Sequence, residues 1–185
     1  VSAAMHPFDF FLNLRCGPGD MATHEVDGGL ELLASIEVPP SGRRLTLIPD
    51  PQVQETIRRR LRASGLEGGQ GVGLVHISNR REASRWPVSS FALAGDSLHE
   101  RLGLSIVLSW APGDVKNPLF PGDDGNAAAV ASRMRTRPIL VRTPTLAELI
   151  AAVSLSDFVL STDGGLMHIA AALDVPQVVL FGKTD

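Results

Sequence analysis

The stretch "DFVLSTDGGLMHIAAALDVPQVVLFGKTD" (residues 157–185) decides the fold. Two short runs rich in valine and leucine, at 158–160 and 177–181, flank residues 165–173, whose apolar side chains recur at helical spacing. A strand, a helix and a second strand in this order predict a right-handed βαβ unit within a parallel sheet. Acidic, small and basic residues mark its first strand-to-helix junction: Asp163, Gly164, Gly165 and His168.

The same alternation runs through residues 71–185. It predicts strands at 72–77, 104–110, 137–141, 157–161 and 176–181, and helices at 88–102, 126–136, 145–155 and 165–173. Strands that alternate with helices predict an α/β fold, a Rossmann-like doubly wound parallel sheet with both faces covered. In such sheets ligands bind outside the carboxyl ends of the strands, so the loops that follow the strands are where a site is expected.

The first 70 residues follow a different pattern. They predict an apolar strand-like run at 8–14, a helix at 27–36, a strand at 44–48 and a helix at 51–66. The glycine-rich "GGQGVG" (68–73) precedes a strand, whereas a dinucleotide fingerprint follows one, so it is interpreted as a linker. We therefore predict a domain boundary between residues 70 and 71.

Composition excludes several classes of protein. The 185 residues carry a net charge of −3, which gives no basic footprint for nucleic acid, and the arginines within 58–62 are interpreted as a solvated helix face. Cys16 is the only cysteine, so an intramolecular disulfide and a cysteine-based zinc site are excluded. The apolar run 169–181 is interrupted by Asp174 and Pro176, and it is too short for a membrane span of about 20 residues.

The junction at residues 163–168 has the composition of an anion site. Asp163 or Thr162 is predicted to cap the helix, while Gly164 and Gly165 leave main-chain amides uncovered at the positive end of its dipole. His168 falls within the first helical turns, where its ring can reach the same anion. The competing interpretation is an ordinary capped helix with a structural histidine.

A second polar cluster, "HISNRREASRWP" (76–87), follows the first regular strand. Ser78, Asn79, Arg80, Arg81 and Arg85 offer hydroxyl, amide and guanidinium donors suited to a diphosphate. The tryptophan and proline that end the cluster are interpreted as a hydrophobic anchor and the start of a helix.

The loop within residues 109–130 is long for a strand-to-helix connection, where about 2 to 6 residues are common. It ends in Asp123 and Asp124. Two interpretations stay open: a carboxylate that binds both ribose hydroxyls of a nucleotide, or a cap for the following helix. No second acidic cluster can be placed beside them, so no metal site is predicted.

Two motifs resemble glycosyltransferase family 9, the ADP-heptose:lipopolysaccharide heptosyltransferases and their relatives. "STDGGLMHIAAALDVPQVVLFGKTD" (161–185) is similar to the family's Asp-x-Gly-x-x-His segment and the Phe/Tyr-Gly-x-Thr-Asp turn that follows the next strand. "SRWPVSSFALAGDSL" (84–98) is similar to its Trp-Pro segment. The resemblance covers residues 71–185 and implies the C-terminal half of a two-domain GT-B glycosyltransferase, with residues 1–70 a remnant of the N-terminal half and linker.

The resemblance also implies roles for the candidate residues. Asp163, Gly164, Gly165 and His168 match the segment that binds the donor's phosphates. Ser78, Asn79, Arg80 and Arg85 match the other side of the diphosphate, and Asp124 matches a ribose partner. Many members carry lysine two residues before the tryptophan, where this chain has Ser84, so Arg85 or Arg81 is the expected substitute.

The implied activity is inverting, metal-independent transfer of a heptose or related sugar from a nucleotide diphosphate, without a further cofactor, to a lipopolysaccharide-type glycolipid. The catalytic base is expected in the N-terminal half, so no catalytic residue is assigned and these residues alone are expected to bind donor without turnover. The implied location is cytoplasmic, with contact at the inner membrane surface. Two alternatives stay open: a GT-B nucleotide-sugar epimerase and a non-catalytic nucleotide-binding module. The resemblance implies an ADP-linked donor, whereas the residues themselves identify neither the nucleotide base, the exact sugar and acceptor, nor the oligomeric state.

Overall fold

The computed structural model of the chain describes residues 24–34, 36–117 and 121–182. The chain divides into two units, residues 1–44 and residues 45–185. The described part of the first unit contains helix α1 (Glu25–Ala34) and an ion pair of 2.8 Å between Arg43 Nε and Asp27 Oδ1. The predicted strand at 8–14 lies outside the described residues.

The second unit is built on a five-stranded, fully parallel sheet in the order β3-β2-β1-β4-β5. Its strands are β1 (Val72–His76), β2 (Ser105–Trp110), β3 (Ile139–Arg142), β4 (Phe158–Thr162) and β5 (Gln177–Leu180). Its helices are α2 (Pro51–Ala63), α3 (Val88–Leu102), α4 (Asp124–Arg133), α5 (Leu146–Ser154) and α6 (Gly165–Ala172). The predicted fold class, a doubly wound parallel α/β sheet, is confirmed.

Each face of the sheet carries its own apolar core. On one face Leu74, Val107 and Val159 pack with buried residues of α2, α5 and α6. On the other face Val75 and Leu108 pack with buried residues of α3 and α4. Successive residues of β1 therefore point into different cores, which is why the strand is apolar from Val72 to Val75 rather than alternating.

Local signals set the ends of the helices. The Asp50 carboxylate accepts hydrogen bonds from the first amides of α2, where Pro51 occupies the first turn. The Thr145 hydroxyl accepts from the amide of Glu148 at 3.2 Å and so caps α5. Helix α3 ends at Gly103, whose φ of 68° lies in the left-handed region that favours glycine. These ends lie within about two residues of those predicted from the sequence.

The domain boundary and one strand differ from the sequence prediction. Ile57 and Leu61 on α2 are 0% and 2% exposed in the same core as β1, so the second unit begins near residue 45 rather than 71. The predicted strand at 44–48 is wrong: these residues are irregular, and Ile48 is 84% exposed. Alternating apolar residues do not form a strand without a neighbouring strand to pair with.

Three of the four arginines of α2 form surface ion pairs. Arg58 and Arg59 both pair with Glu55, at 2.7 and 3.1 Å, and Arg60 pairs with Glu148 at 2.7 Å. Pairs of this kind at the surface contribute about 0 to 1 kcal/mol each. Their arrangement fits the interpretation of a solvated helix face.

Asp96 on α3 is a buried carboxylate that joins α3 to the end of α4. It is 2% exposed and accepts hydrogen bonds from the main-chain amides of Arg135 at 3.0 Å and Thr136 at 2.9 Å. Burial raises the pKa of Asp96, but the hydrogen bonds from Thr136 and Arg135 together outweigh it and hold the pKa below its ordinary value. The folded state therefore favours the ionised carboxylate.

We expect Asp96→Asn to lower the free energy of unfolding at pH 7 by about 1–3 kcal/mol, because one amide loses its charged acceptor. In the unaltered protein this stabilisation is present above the ordinary aspartate pKa and is lost as the pH falls through the lowered folded-state pKa. Urea unfolding at pH 7 and pH 3 measures both. The difference between the two proteins should be smaller at pH 3 than at pH 7, and equal stability at pH 7 would contradict the assignment.

His76 is a titratable side chain buried at the end of β1. The parallel register places it opposite Ser109 on β2, and His76 Nδ1 lies 2.8 Å from Ser109 Oγ. Burial lowers the pKa of His76 to about 4, partly opposed by the charge of Asp123. The folded state therefore holds a neutral imidazole and takes up a proton less readily than the unfolded chain.

Acid should destabilise the protein through His76. Between pH 6.5 and about 4 the unfolded chain binds the proton and the folded state does not, so stability falls by up to ~3 kcal/mol as the pH drops through this window. His76→Gln, which keeps a hydrogen-bonding group beside Ser109, should flatten that part of the curve. Urea unfolding of both proteins at pH 7, 5.5 and 4.5 measures the difference, and parallel curves would count against a buried neutral histidine.

Candidate functional site: a cationic cleft at the carboxyl edge of the sheet

A cleft of about 750 Å³ opens where β1 and β4 end. These strands are adjacent in the sheet although the chain between them forms β2 and β3, so the loops after them leave in opposite directions. Apolar side chains of α5 and α6 line one side of the cleft. Its polar lining comes mainly from the two loops: His76, Ser78, Asn79, Arg80, Arg81, Asp163 and His168.

Asn79 ties the two loops together. Its Nδ2 donates to the main-chain oxygen of Asp163 at 2.6 Å and to Thr162 Oγ1 at 2.9 Å. Its Oδ1 accepts from the main-chain amide of Arg81 at 2.8 Å. Asn79 is only 9% exposed, so these bonds are held away from competing water. One side chain thus fixes the distance between the two polar walls of the cleft.

Ser78 connects the same edge to the neighbouring strand. Its hydroxyl oxygen accepts from the main-chain amide of Ala111, directly after β2, at 2.9 Å. Ser78 also lines the cleft. The structure therefore brings Ser78, Asn79 and Arg80 together with the β4–α6 junction, as the sequence predicted.

The amino end of α6 faces this cleft without a side-chain cap. Gly164 is the capping residue, and no side chain hydrogen-bonds there. The prediction that Asp163 or Thr162 caps this helix is wrong: no side chain caps it, and Thr162 Oγ1 accepts from Asn79 instead. The first amides of α6 are left for another acceptor.

Neither glycine at this junction is required by the backbone. Gly164 has an extended φ of 171°, and a Cβ added there would make only ordinary contacts, the nearest at 3.8 Å. A Cβ added to Gly165 would meet nothing within 4 Å. Small residues at both positions therefore keep the cleft open beside the helix amides rather than relieve strain.

Three exposed basic side chains line the cleft, besides the buried His76. Arg80 and Arg81 on the β1–α3 loop and His168 on α6 are all exposed there. Among the described residues, no carboxylate forms an ion pair with Arg80 or Arg81. Asp163 is the only acidic residue of the described part of the lining, so the cleft suits an anion of more than one charge.

Arg85 points to a different partner. Its guanidinium pairs with Asp123 Oδ1 at 2.7 Å and donates through Nε to the main-chain oxygen of Asn79 at 2.9 Å. The side chain is 17% exposed, and it does not line the cleft. Of the two arginines proposed to replace the lysine expected at Ser84, the structure places Arg81 in the cleft and Arg85 in a buried ion pair.

Asp124 also has partners within the protein. Its carboxylate accepts from Trp110 Nε1 at 2.7 Å and from the amide of Gly113 at 3.1 Å, and it pairs with Arg142 at 3.3 Å. The hydrogen bond from Trp110 lowers the pKa of Asp124 despite some desolvation, helped by Gly113 and Arg142. Asp124 thus joins the end of the long loop to its beginning at Gly113. It does not line the cleft. Neither it nor Asp123 caps α4 through a side-chain hydrogen bond to the helix amides.

The sequence-based site omitted His76 and the apolar lining residues Leu146 and Leu149. His76 had a signal, since it ends β1 two residues before Ser78. Leu146 and Leu149 had a weaker one: the helix that follows β3 also begins at the carboxyl edge of the sheet.

The described ranges contain neither a cluster of metal ligands nor a helix that could span a membrane. No group of three or more histidine, cysteine, aspartate or glutamate side chains is arranged to hold a metal ion. None of the helices there is both long enough and apolar enough to cross a membrane.

Comparison with known proteins places the chain among sugar transferases. The sequence is 28% identical over 165 residues to lipopolysaccharide heptosyltransferase 3 of Escherichia coli, which covers 86% of this chain and 45% of that protein. The chain thus spans less than half the length of this relative.

Solved structures with the same fold include a family 9 glycosyltransferase from Veillonella parvula, with a TM-score of 0.74 and 23% identity over 87% of this chain and 44% of that one. Another is E. coli heptosyltransferase WaaC solved with ADP, with a TM-score of 0.56 and 19% identity over 90% of this chain and 48% of that one. The predicted GT-B half is confirmed.

The family model for glycosyltransferase family 9 (heptosyltransferase) matches residues 32–185. This match spans both loops of the cleft. The chain therefore belongs to glycosyltransferase family 9.

Proposed function

We propose that the cleft binds the diphosphate of a nucleotide-sugar donor and that the chain is the donor-binding part of an inverting glycosyltransferase. The observation that supports this most directly is the convergence of the uncapped amino end of α6 with Arg80, Arg81 and His168 across the Asn79 bridge. Helix amides on one wall and guanidinium groups on the other match the two phosphates of a diphosphate.

The proposed ligands are Ser78, Asn79, Arg80, Arg81, Asp163, Gly164, Gly165 and His168. Arg85 and Asp124 are left out because both have protein partners and neither lines the cleft. During transfer, negative charge grows on the departing diphosphate. The cationic side chains and helix amides are already in position before the reaction begins. They stabilise the charge as it develops, without a metal ion.

The donor proposed is an ADP-linked heptose or a related sugar, and the acceptor is a lipopolysaccharide-type glycolipid. Support comes from the family match, from the heptosyltransferase names of the relatives and from the neighbour solved with ADP. The base that deprotonates the acceptor hydroxyl belongs to the other half of the GT-B fold. These 185 residues therefore bind donor without transferring its sugar, and a glycolipid acceptor would bring the enzyme to the inner membrane surface.

Nucleotide titration tests the donor site. Calorimetric titration with ADP, UDP and GDP should show selective binding of ADP, unchanged by EDTA. Gly165→Val should weaken ADP binding at least about tenfold by holding the phosphate away from the amides of α6, and His168→Ala should weaken it several-fold. A Cβ built at Gly165 meets no atom within 4 Å, so the fold should be unaffected.

Gly125→Val is the matched control, since Gly125 also lies in the first turn of a helix at this edge and its added Cβ meets nothing within 4 Å. It should bind ADP like the unaltered chain. Equal affinities for Gly165→Val and Gly125→Val would contradict a phosphate site at α6, and absence of binding to all three nucleotides by the unaltered chain would contradict donor binding.

Arg81 should contribute a charged contact to the diphosphate. Arg81→Ala should weaken ADP binding about 10- to 100-fold, the range expected for a hydrogen bond to a charged group. The dependence of affinity on NaCl concentration should also become shallower, because one of the screened charge contacts is gone. Arg101→Ala, in the last turn of α3 away from this edge, is the control and should change neither quantity.

A further inference from the structure

The β1–α3 loop contains three arginines with different environments. Arg80 and Arg81 are exposed in the cleft, whereas the Arg85 side chain is 17% exposed and its partner Asp123 is 1% exposed. Asp123 Oδ1 also accepts from Asn126 Nδ2 at 2.8 Å, which fixes the carboxylate at the start of α4. A buried carboxylate held in this way orients the guanidinium that neutralises it.

Arg85 links the fixed carboxylate of Asp123 to Asn79. Its Nη1 donates to Asp123 at 2.7 Å while its Nε donates to the Asn79 main-chain oxygen at 2.9 Å. The planar guanidinium supplies both N–H groups in one rigid fork, so satisfying Asp123 sets the position of Asn79. The Asn79 side chain then bonds the Asp163 main-chain oxygen, directly before α6.

The same segment is confined from the far side of the sheet edge. Gly182, after β5, lies so close that a Cβ built there would fall 2.7 Å from the Ala83 main-chain oxygen and 3.0 Å from Ser84 Cα. Ser84 is 7% exposed. The segment between Asn79 and Arg85 is therefore held at both ends and along its length, and only Arg80 and Arg81 project from it into the cleft.

We infer that Arg85 is a positioning residue: paired with buried Asp123, it sets the Asn79 bridge and with it the spacing between the Arg80–Arg81 wall and the amino end of α6. The inference rests on the proposed function for its ligand, a diphosphate. Arg85 touches no ligand itself. Its role requires the forked guanidinium rather than the positive charge alone, because a lysine reaches Asp123 or Asn79 but not both in a fixed geometry.

Replacing Arg85 with lysine tests the orienting effect of the guanidinium separately from its positive charge. Arg85→Lys keeps a cation beside Asp123, so the chain should fold, which thermal unfolding checks. Calorimetric titration with inorganic pyrophosphate should show binding about tenfold weaker than in the unaltered chain, because the two walls are no longer held in register. The matched variant Arg81→Lys, which keeps a charge at a proposed ligand position, should weaken binding about threefold or less.

A second measurement reports the contact without any ligand. The side-chain amide resonances of Asn79 in a ¹H–¹⁵N spectrum should shift in Arg85→Lys and stay in place in Arg81→Lys, since Arg81 meets Asn79 only through its main-chain amide. Unmoved Asn79 resonances in Arg85→Lys, or pyrophosphate binding within about twofold of the unaltered chain, would overturn the inference. If the unaltered chain fails to bind pyrophosphate, the proposed function fails, while the Asn79 resonances still decide whether Arg85 positions the loop.

Discussion

The pairing of β1 with β4 is the constraint on which the site depends. Parallel strands that lie side by side but are separated along the chain send their following loops in opposite directions, which leaves a crevice between them. Here the β1–α3 loop supplies arginines and the β4–α6 loop supplies helix amides. Neither loop would form a site by itself, because the site needs both loops side by side.

The Asn79 side chain turns that crevice into a defined geometry. It is the one group that bonds both loops in the described part of the cleft, and it is buried enough for those bonds to hold their positions. Arg85, paired with Asp123, donates a hydrogen bond to the main-chain oxygen of Asn79. A buried ion pair of this type contributes little net stability, since desolvation offsets most of its attraction, but its loss would leave a buried charge alone. Its effect is better described as orientation than as stabilisation.

Charge is divided within one short loop according to burial. Arg85 is neutralised by a carboxylate of the protein, while Arg80 and Arg81 have none in the described residues and face open space. Ser84, the position at which the resemblance led us to expect a lysine, is buried and packed near Gly182.

The sequence by itself determined the elements and the edge of the sheet at which the site lies. Apolar residues recur at strand spacing in some segments and at helix spacing in others, and proline and glycine mark the helix ends. These local signals located every strand from β1 to β5. The motif at Asp163–His168 likewise pointed to an anion site at this helix end, because two glycines in sequence leave main-chain amides uncovered, whereas the absence of a side-chain cap was decided by the tertiary structure.

Only the tertiary structure decided which polar residues act together. Arg81 and Arg85 look equivalent in sequence, and their roles diverge because Asp123, 38 positions beyond Arg85, lies within 2.7 Å of one and not the other. Asp124 is held by contacts with Trp110 and Arg142. Thr162 accepts a hydrogen bond from Asn79 and does not cap the helix that follows it. The unit's start near residue 45 likewise depended on α2 packing against the sheet. Such choices depend on which distant groups compete for a hydrogen bond, and that competition exists only once the chain has folded.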